Sequence, residues 1–136
     1  MSFRIEEKLY IRRENLLEFK AHLFKNLAKK LHHPRIIKSL YFENKNLDMF
    51  NDSIEGLTPR KKIRIRNYPN EKDIKFYLEI KNSAVEGRFK TRNVINDKEF
   101  SEKKFYGILD NQYGTCFPKL YVSYLREYFL LDDVRI

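Results

Sequence analysis

The segment "RKKIRIRNY", Arg60 to Tyr68, places a cation at every second position: Arg60, Lys62, Arg64 and Arg66. Ile63 and Ile65 stand between the last three of them. Alternate side chains of a strand share a face. The spacing therefore predicts a strand with one apolar face and one basic face. Neighbouring cations on it lie about 7 Å apart, and at an effective dielectric of about 20 each pair costs roughly 2 kcal/mol before screening. A strand that tolerates this repulsion calls for an anion. Arginine forks suit phosphate oxygens in bidentate fashion, and lysine acts as a point charge.

The same alternation recurs along the chain. In "IKFYLEIKN", Tyr77, Glu79 and Lys81 face away from Leu78 and Ile80. "FKTR" adds Lys90 and Arg92, and a late strand groups Val122, Tyr124, Arg126 and Tyr128. Residues 3–11 read as a first strand, with Arg4, Glu6, Lys8 and Tyr10 opposite Phe3, Ile5, Leu9 and Ile11. If such a sheet curls with its charged faces inward, the cations line a water-filled tunnel and the apolar faces pack outward against helices. This inverts the usual small barrel, whose interior is filled by apolar side chains. Burying so many cations without an anion is prohibitive, so the tunnel is expected to hold a polyanion. Glu6 and Glu79 are then either hard oxygen ligands for a divalent ion that bridges phosphates or counter-charges that orient the arginines.

Several elements must position these residues. "ENLLEFKAHLFKNLAKKL" carries an apolar stripe of Leu16, Phe19, Leu23, Leu27 and Leu31, which predicts a helix ending before "HHP". His32 and His33 are expected at its end, capping carbonyls or facing solvent. "IIKSLYFEN" reads as a second strand and "KNLDMFNDSIEGLT" as an excursion with turn signals at Asn51, Asp52 and Gly56. The cationic segment is the third strand, "IKFYLEIKN" the fourth and "GRFKTRNVI" a fifth. Residues 97–113 are expected to be helical, with Phe100, Phe105, Ile108 and Leu109 on the buried side. "PKLYVSYLREYFLL" is a long strand, and "DDVRI" begins another. The order β-α-β-β-β-β-α-β-β indicates an α+β protein dominated by antiparallel sheet.

The totals agree. A chain of 136 residues reads as one domain, and 42% hydrophobic content excludes a disordered chain. Lys and Arg number 28 against 19 Asp and Glu, and this +9 balance favours polyanionic partners. The N-terminus has no apolar signal core and no apolar run is long enough to span a bilayer, so a cytoplasmic location is expected. Cys116 is the single cysteine, which excludes an internal disulfide and a cysteine-rich zinc site. It reads as a small packed residue rather than a nucleophile.

Taken in order, "RIEEKLYI", "SLYFEN", "RKKIRIRNY", "LEIK", "KTR", "VSYLREYF" and "DDVRI" resemble the VTC (vacuolar transporter chaperone) domain over nearly the whole chain. This domain is the polyphosphate polymerase branch of the triphosphate tunnel metalloenzyme, or CYTH-like, superfamily. The resemblance implies an antiparallel β-barrel or tunnel with flanking helices. It also implies ATP-dependent transfer of the γ-phosphoryl group onto a growing polyphosphate chain, aided by a divalent metal, Mn²⁺ or Mg²⁺. It makes Arg64, Arg66, Lys81, Lys90 and Arg126 the candidate catalytic cations. Arg4, Lys8, Arg60, Lys62, Arg92, Tyr124 and Arg135 become candidate substrate contacts, and Glu6 and Glu79 candidate metal ligands. Glu43 stands where the family often has Asp. In the family the segment at Arg135 runs on through a Thr-x-Asp strand to further strands with a metal-binding glutamate and more lysines. This sequence stops at Ile136, so a tunnel lacking its last strands is expected.

Other readings stay open. A triphosphate hydrolase could use the same fold, and a non-catalytic module could bind polyphosphate or triphosphate without turnover. An RNA-binding sheet is a further alternative, which would need exposed aromatics as stacking platforms. Arg60, Lys62, Arg64 and Arg66 share their strand face with no aromatic, so bare phosphate is favoured and no nucleic-acid partner is expected.

Overall fold

Alternation in the sequence becomes antiparallel pairing in the computed structural model, which describes residues 5–136. The strands are β1 (Lys29–Glu43), β2 (Arg60–Asn67), β3 (Phe76–Ala84), β4 (Gly87–Ile95), β5 (Ile108–Asp110), β6 (Gly114–Leu131) and β7 (Val134–Arg135). Their order is β4-β3-β2-β1-β6-β5, with β7 paired to β6. The helices are α1 (Leu16–Lys25), α2 (Asp48–Glu55) and α3 (Asp97–Tyr106). The chain is an α+β fold built on antiparallel sheet with flanking helices, as the sequence indicates. Contacts divide it into two units: the chain up to Pro34 together with Glu127–Ile136, and Arg35–Arg126.

In the second unit, register fixes which side chains share a face. Leu40 pairs with Ile65, Phe42 with Ile63, Ile65 with Leu78 and Ile63 with Ile80. These residues form the apolar side. Phe42, Ile63, Ile65 and Ile95 are buried there with Met49 of α2 and with Ile108, Tyr113 and Cys116. Phe100 of α3 stacks on Phe76 with ring centres 4.3 Å apart. The start of α3 is fixed by a capping box: Asn96 Oδ1 accepts the Glu99 N–H and Glu99 Oε2 accepts the Asn96 N–H, both at 2.8 Å. Lys61 has the parity of the apolar side, and its ammonium donates to Asp110 at 2.9 Å. The Asp110 carboxylate also accepts the Gln112 and Tyr113 amides. Burial would raise the Asp110 pKa, but these donors outweigh it and hold the carboxyl below its usual range.

In the first unit, Leu23, Ala28 and Phe129 form a small core, with Phe19 and Leu131 against it. Lys20 pairs with Glu127 there, and Phe24 meets Phe129 edge-on at 5.6 Å.

The structure corrects several expectations. Residues 5–12 form no strand and are almost all exposed. Alternation alone does not make a strand, since strand backbone without a paired neighbour gains nothing over solvated coil. Helix α1 stops at Lys25, well short of Leu31. Leu27 is left-handed (φ 64°), its N–H bonds Phe24 O at 3.1 Å, and the Ala28 N–H bonds Leu23 O at 3.0 Å. That is a Schellman stop with leucine in the usual glycine position, closed by the Leu23–Ala28 apolar contact. Leu27 is consequently 83% exposed rather than on a buried stripe. His32 and His33 lie within β1, with rings 4.1 Å apart, not at a helix end. The excursion after β1 contains helix α2. Helix α3 ends at Tyr106, because Gly107 takes a positive φ and the chain returns as β5; Phe105 and Leu109 are exposed.

Leu27→Gly should stabilise the protein by about 1 kcal/mol, since glycine removes the left-handed penalty at an exposed site. A helix continuing through Leu31 would make the same change destabilising by a similar amount. Urea unfolding of the two proteins decides the sign.

Candidate functional site

The basic side of the second unit is a grid set by strand register. Tyr41 of β1, Arg64 of β2, Glu79 of β3 and Arg92 of β4 lie in one row. Ser39, Arg66 and Tyr77 lie in the next row, and Lys62, Lys81 and Lys90 in the row on the other side. The alternation of "RKKIRIRNY" and "LEIK" thus places the expected charges together across three strands. Like charges directly opposite one another destabilise a sheet, and in the row of lysines Lys90 is offset by the Glu79 carboxylate of the neighbouring row.

Glu79 sits at the centre and is 1% exposed. Its Oε2 accepts from Arg64 Nε at 2.7 Å and Nη2 at 2.6 Å. Its Oε1 accepts from Lys90 Nζ at 2.7 Å, and Arg92 Nε stands 3.5 Å away. Burial pushes the Glu79 pKa up, but the Lys90 and Arg64 donors outweigh it and hold the carboxyl below its usual range. Burial likewise opposes the charge on Arg64, and the Tyr41 and Glu79 hydrogen bonds more than restore it. Arg64 Nη1 donates to Tyr41 Oη at 3.0 Å.

Arg66 is different. It is 7% exposed, and its Nε donates to Ser39 Oγ at 3.0 Å. Its Nη2 lies 3.5 Å from Tyr124 Oη, a long contact. Among the described residues no carboxylate lies within ion-pair distance of it. A guanidinium has five N–H donors, so these contacts engage a minority of them. A buried cation held by neutral hydroxyls alone is costly in an unliganded sheet. Arg126 Nη2 donates to the same Tyr124 hydroxyl at 2.9 Å, a contact within β6.

Of the other expected contacts, Arg60 donates to Leu57 O at 3.1 Å, at the entry to β2. Arg135 lies in β7 and is exposed, within the first unit. Glu6 and Lys8 also belong to that unit, in an exposed stretch where they pair at 4.0 Å. Arg4 lies outside the described residues. Three tyrosines do share the basic face: Tyr41 beside Arg64, Tyr77 beside Arg66, and Tyr124. Looking along β2 alone misses them, because the neighbours of a strand residue belong to other strands. Their rings are already engaged, with the Arg92 guanidinium 3.8 Å above Tyr77 and that of Arg64 5.8 Å from the Tyr41 ring centre.

The family model of the VTC domain matches residues 3–136. The chain belongs to the VTC domain family. A search of curated proteins finds no match. In this VTC domain both oxygens of Glu79 are taken up by cations. The described residues include no group of three or more His, Cys, Asp or Glu side chains that could hold a metal ion. Glu79 is engaged as a counter-charge that aims Arg64 and Lys90. Ser39 and Tyr41, which position Arg66 and Arg64, are the residues that sequence reading missed; the "SLY" of "SLYFEN" carries them with the right parity. Glu43 is not on this network. Its carboxylate caps α2, accepting the Met49 N–H at 3.1 Å and the Phe50 N–H at 2.9 Å.

Glu79→Gln should destabilise the VTC domain by about 3 kcal/mol at neutral pH, because it leaves the largely buried Arg64 guanidinium without its counter-charge. The native Glu79 pKa is depressed, so its contribution is present above the unfolded value of about 4.3 and is lost as pH falls through the native value. The gap between wild type and variant in urea unfolding should therefore close at acid pH.

Proposed function

We propose that the cationic face binds the triphosphate of ATP and the terminal phosphates of polyphosphate, and that the domain is a polyphosphate polymerase-like phosphotransferase. The observation that carries this reading is Arg66, which is buried and among the described residues has hydroxyl partners but no carboxylate, with a minority of its donors engaged. A phosphate chain lying along β2 would meet Lys62, Arg64 and Arg66 in succession, with Lys90, Arg92 and Arg126 beside it. The family membership of the chain supports the same substrate class.

In the proposed reaction a terminal oxygen of the polyphosphate acceptor attacks the γ-phosphorus of ATP. The β–γ bridging P–O bond breaks, and ADP leaves with that electron pair. Such a transition state is loose and spreads charge over the equatorial oxygens, so placement and fixed positive charge supply most of the catalysis. Arg64 is pre-aimed by Glu79 and Tyr41, and Arg66 by Ser39, so neither must reorganise as charge develops. No protein nucleophile is called for. Cys116 is fully buried, and its thiol is pushed up to about 11 by burial and the nearby Asp110 and Glu43 charges. A divalent ion, Mn²⁺ or Mg²⁺, belongs to this proposal as a companion of the nucleotide phosphates. A cytoplasmic setting is proposed with it; among the described residues no helix is long and apolar enough to cross a membrane.

A second reading is a polyphosphate- or triphosphate-binding module without turnover, and the engagement of Glu79 by three cations favours it. The two readings share the binding step. Triphosphate should bind with steep salt dependence. Arg64→Ala and Arg66→Ala should each weaken it roughly ten- to a hundredfold, the worth of a charged hydrogen bond. Incubation with ATP and Mn²⁺ then separates the readings: polymer that disappears in the double variant supports the polymerase, orthophosphate alone a hydrolase, and neither product a binding module. Triphosphate binding that is unaffected by both substitutions removes the proposal.

A further inference from the structure

On the basic side of the second unit, cations and aromatic rings follow one another in a stack that begins at Arg35 and ends at Arg92. Tyr77 of β3 stands opposite Arg66 of β2, on the same side of the sheet as Glu79 two residues on. Arg92 of β4 is in register with Glu79, not with Tyr77. Its guanidinium nevertheless lies over the Tyr77 ring, 3.8 Å from the ring centre, whereas Arg64 stands 5.8 Å from the centre of Tyr41. Arg92 therefore leans diagonally by one row, a reach that cross-strand geometry allows to a long side chain. The row it leans toward is that of Arg66.

The ring that receives it is itself held. Tyr68, two residues past Arg66 and 9% exposed, meets Tyr77 with ring centres 6.0 Å apart and planes at 65°. Edge-to-face pairing of this kind suits two aromatic quadrupoles. Arg35 of β1 stands 4.5 Å from the centre of the Tyr68 ring, and its Nη1 donates to Glu71 Oε1 at 3.2 Å. The Glu71 N–H in turn donates to Tyr68 O at 3.1 Å, in the turn that follows β2.

Arg92 is the cation that gains from such support. Its side chain is 43% exposed, and its Nε stands 3.5 Å from a Glu79 oxygen that Lys90 already engages at 2.7 Å. A solvated arginine loses much rotamer freedom on meeting an anion. A ring face restricts the guanidinium without consuming any of its N–H donors. It also leaves the positive charge in place, which a second carboxylate would cancel.

We infer that Tyr77 is a positioning residue of the phosphate face: its ring holds the Arg92 guanidinium beside Arg66 for a phosphate oxygen, and Tyr68 holds that ring. The inference rests on the phosphate-binding reading above and adds a residue that acts through Arg92. The aromatic face is what Arg92 meets, so the Tyr77 hydroxyl is dispensable.

The test is a double-mutant cycle read by calorimetric titration with inorganic triphosphate at one salt concentration. Arg92→Ala should weaken binding about tenfold, the worth of one charged hydrogen bond. Tyr77→Leu should weaken it about fivefold when Arg92 is present, the worth of one cation–ring pair. With Arg92 already alanine, the same change should cost no more than about twofold. Tyr77→Phe keeps the ring and should bind within about twofold of wild type. Tyr77→Met fills similar space without a ring and should repeat the leucine pattern, which guards against a folding defect peculiar to leucine. A Tyr77→Leu loss that persists at full size in the Arg92→Ala background would show the ring serving Arg66 or the sheet, and overturns the inference. Tyr77→Phe binding as weakly as Tyr77→Leu overturns it too, by assigning the effect to the hydroxyl, as does Arg92→Ala binding like wild type. In all three cases triphosphate still binds and the phosphate site stands. If the wild-type protein binds no triphosphate, the phosphate reading falls and this inference with it.

Discussion

On one side of the sheet the buried Glu79 carboxylate is the counter-charge on which the neighbouring cations converge, and the rest of that face is organised around it. One carboxylate, Glu79, is shared by Arg64, Lys90 and Arg92. Arg66 is buried beside them with hydroxyl partners alone among the described residues. In a medium of low polarity an uncompensated guanidinium is expensive, and an anionic ligand converts that expense into affinity. The three cations around Glu79 are thereby fixed in direction, while Arg66 keeps donors in reserve. A mobile set of surface lysines would lose far more freedom on meeting a phosphate chain.

Such a grid can exist because the opposite side of the same strands is anchored. Ile63 and Ile65 are almost completely buried between the cations that flank them in sequence, Lys62, Arg64 and Arg66. With period two, a shift of one residue would turn the arginines into the core and the isoleucines into solvent. Register is thus enforced by both faces at once. The odd cation, Lys61, does not break this pattern, since Asp110 receives it at the edge of the core. Glu43 and Asn44 hold the start of α2 by accepting its first amides, which carries Met49 into the core and leaves Phe50 exposed.

Sequence reading reached furthest where side-chain identity and spacing decide the outcome by themselves. The strands β2, β3 and β4 and their basic faces follow from strict alternation, and β4 coincides with "GRFKTRNVI". It failed where a competing local interaction or a missing neighbour decides. Alternation in residues 5–11 produces no strand, because a strand needs a partner and the pattern cannot supply one. The stripe of α1 continues in sequence past Lys25, yet the helix stops when Leu27 adopts a conformation that leucine rarely takes. Tyr41 is not legible from the alternation of β2, because it comes beside Arg64 only by cross-strand pairing with β1.

The sequence by itself determined the charge, the period-two strands and the residue types that suit phosphate, because these depend on composition and on the pleat of a strand alone. Tertiary structure decided the energetics of the individual cations. Arg64 and Arg66 are equivalent in the sequence, two residues apart on one face. Pairing places Glu79 beside the first, and Ser39 on the opposite neighbouring strand beside the second. One becomes a clamped, neutralised pair and the other a buried charge held by hydroxyls among the described residues, because the worth of a charge is set by what is brought within a few ångströms of it from elsewhere in the chain.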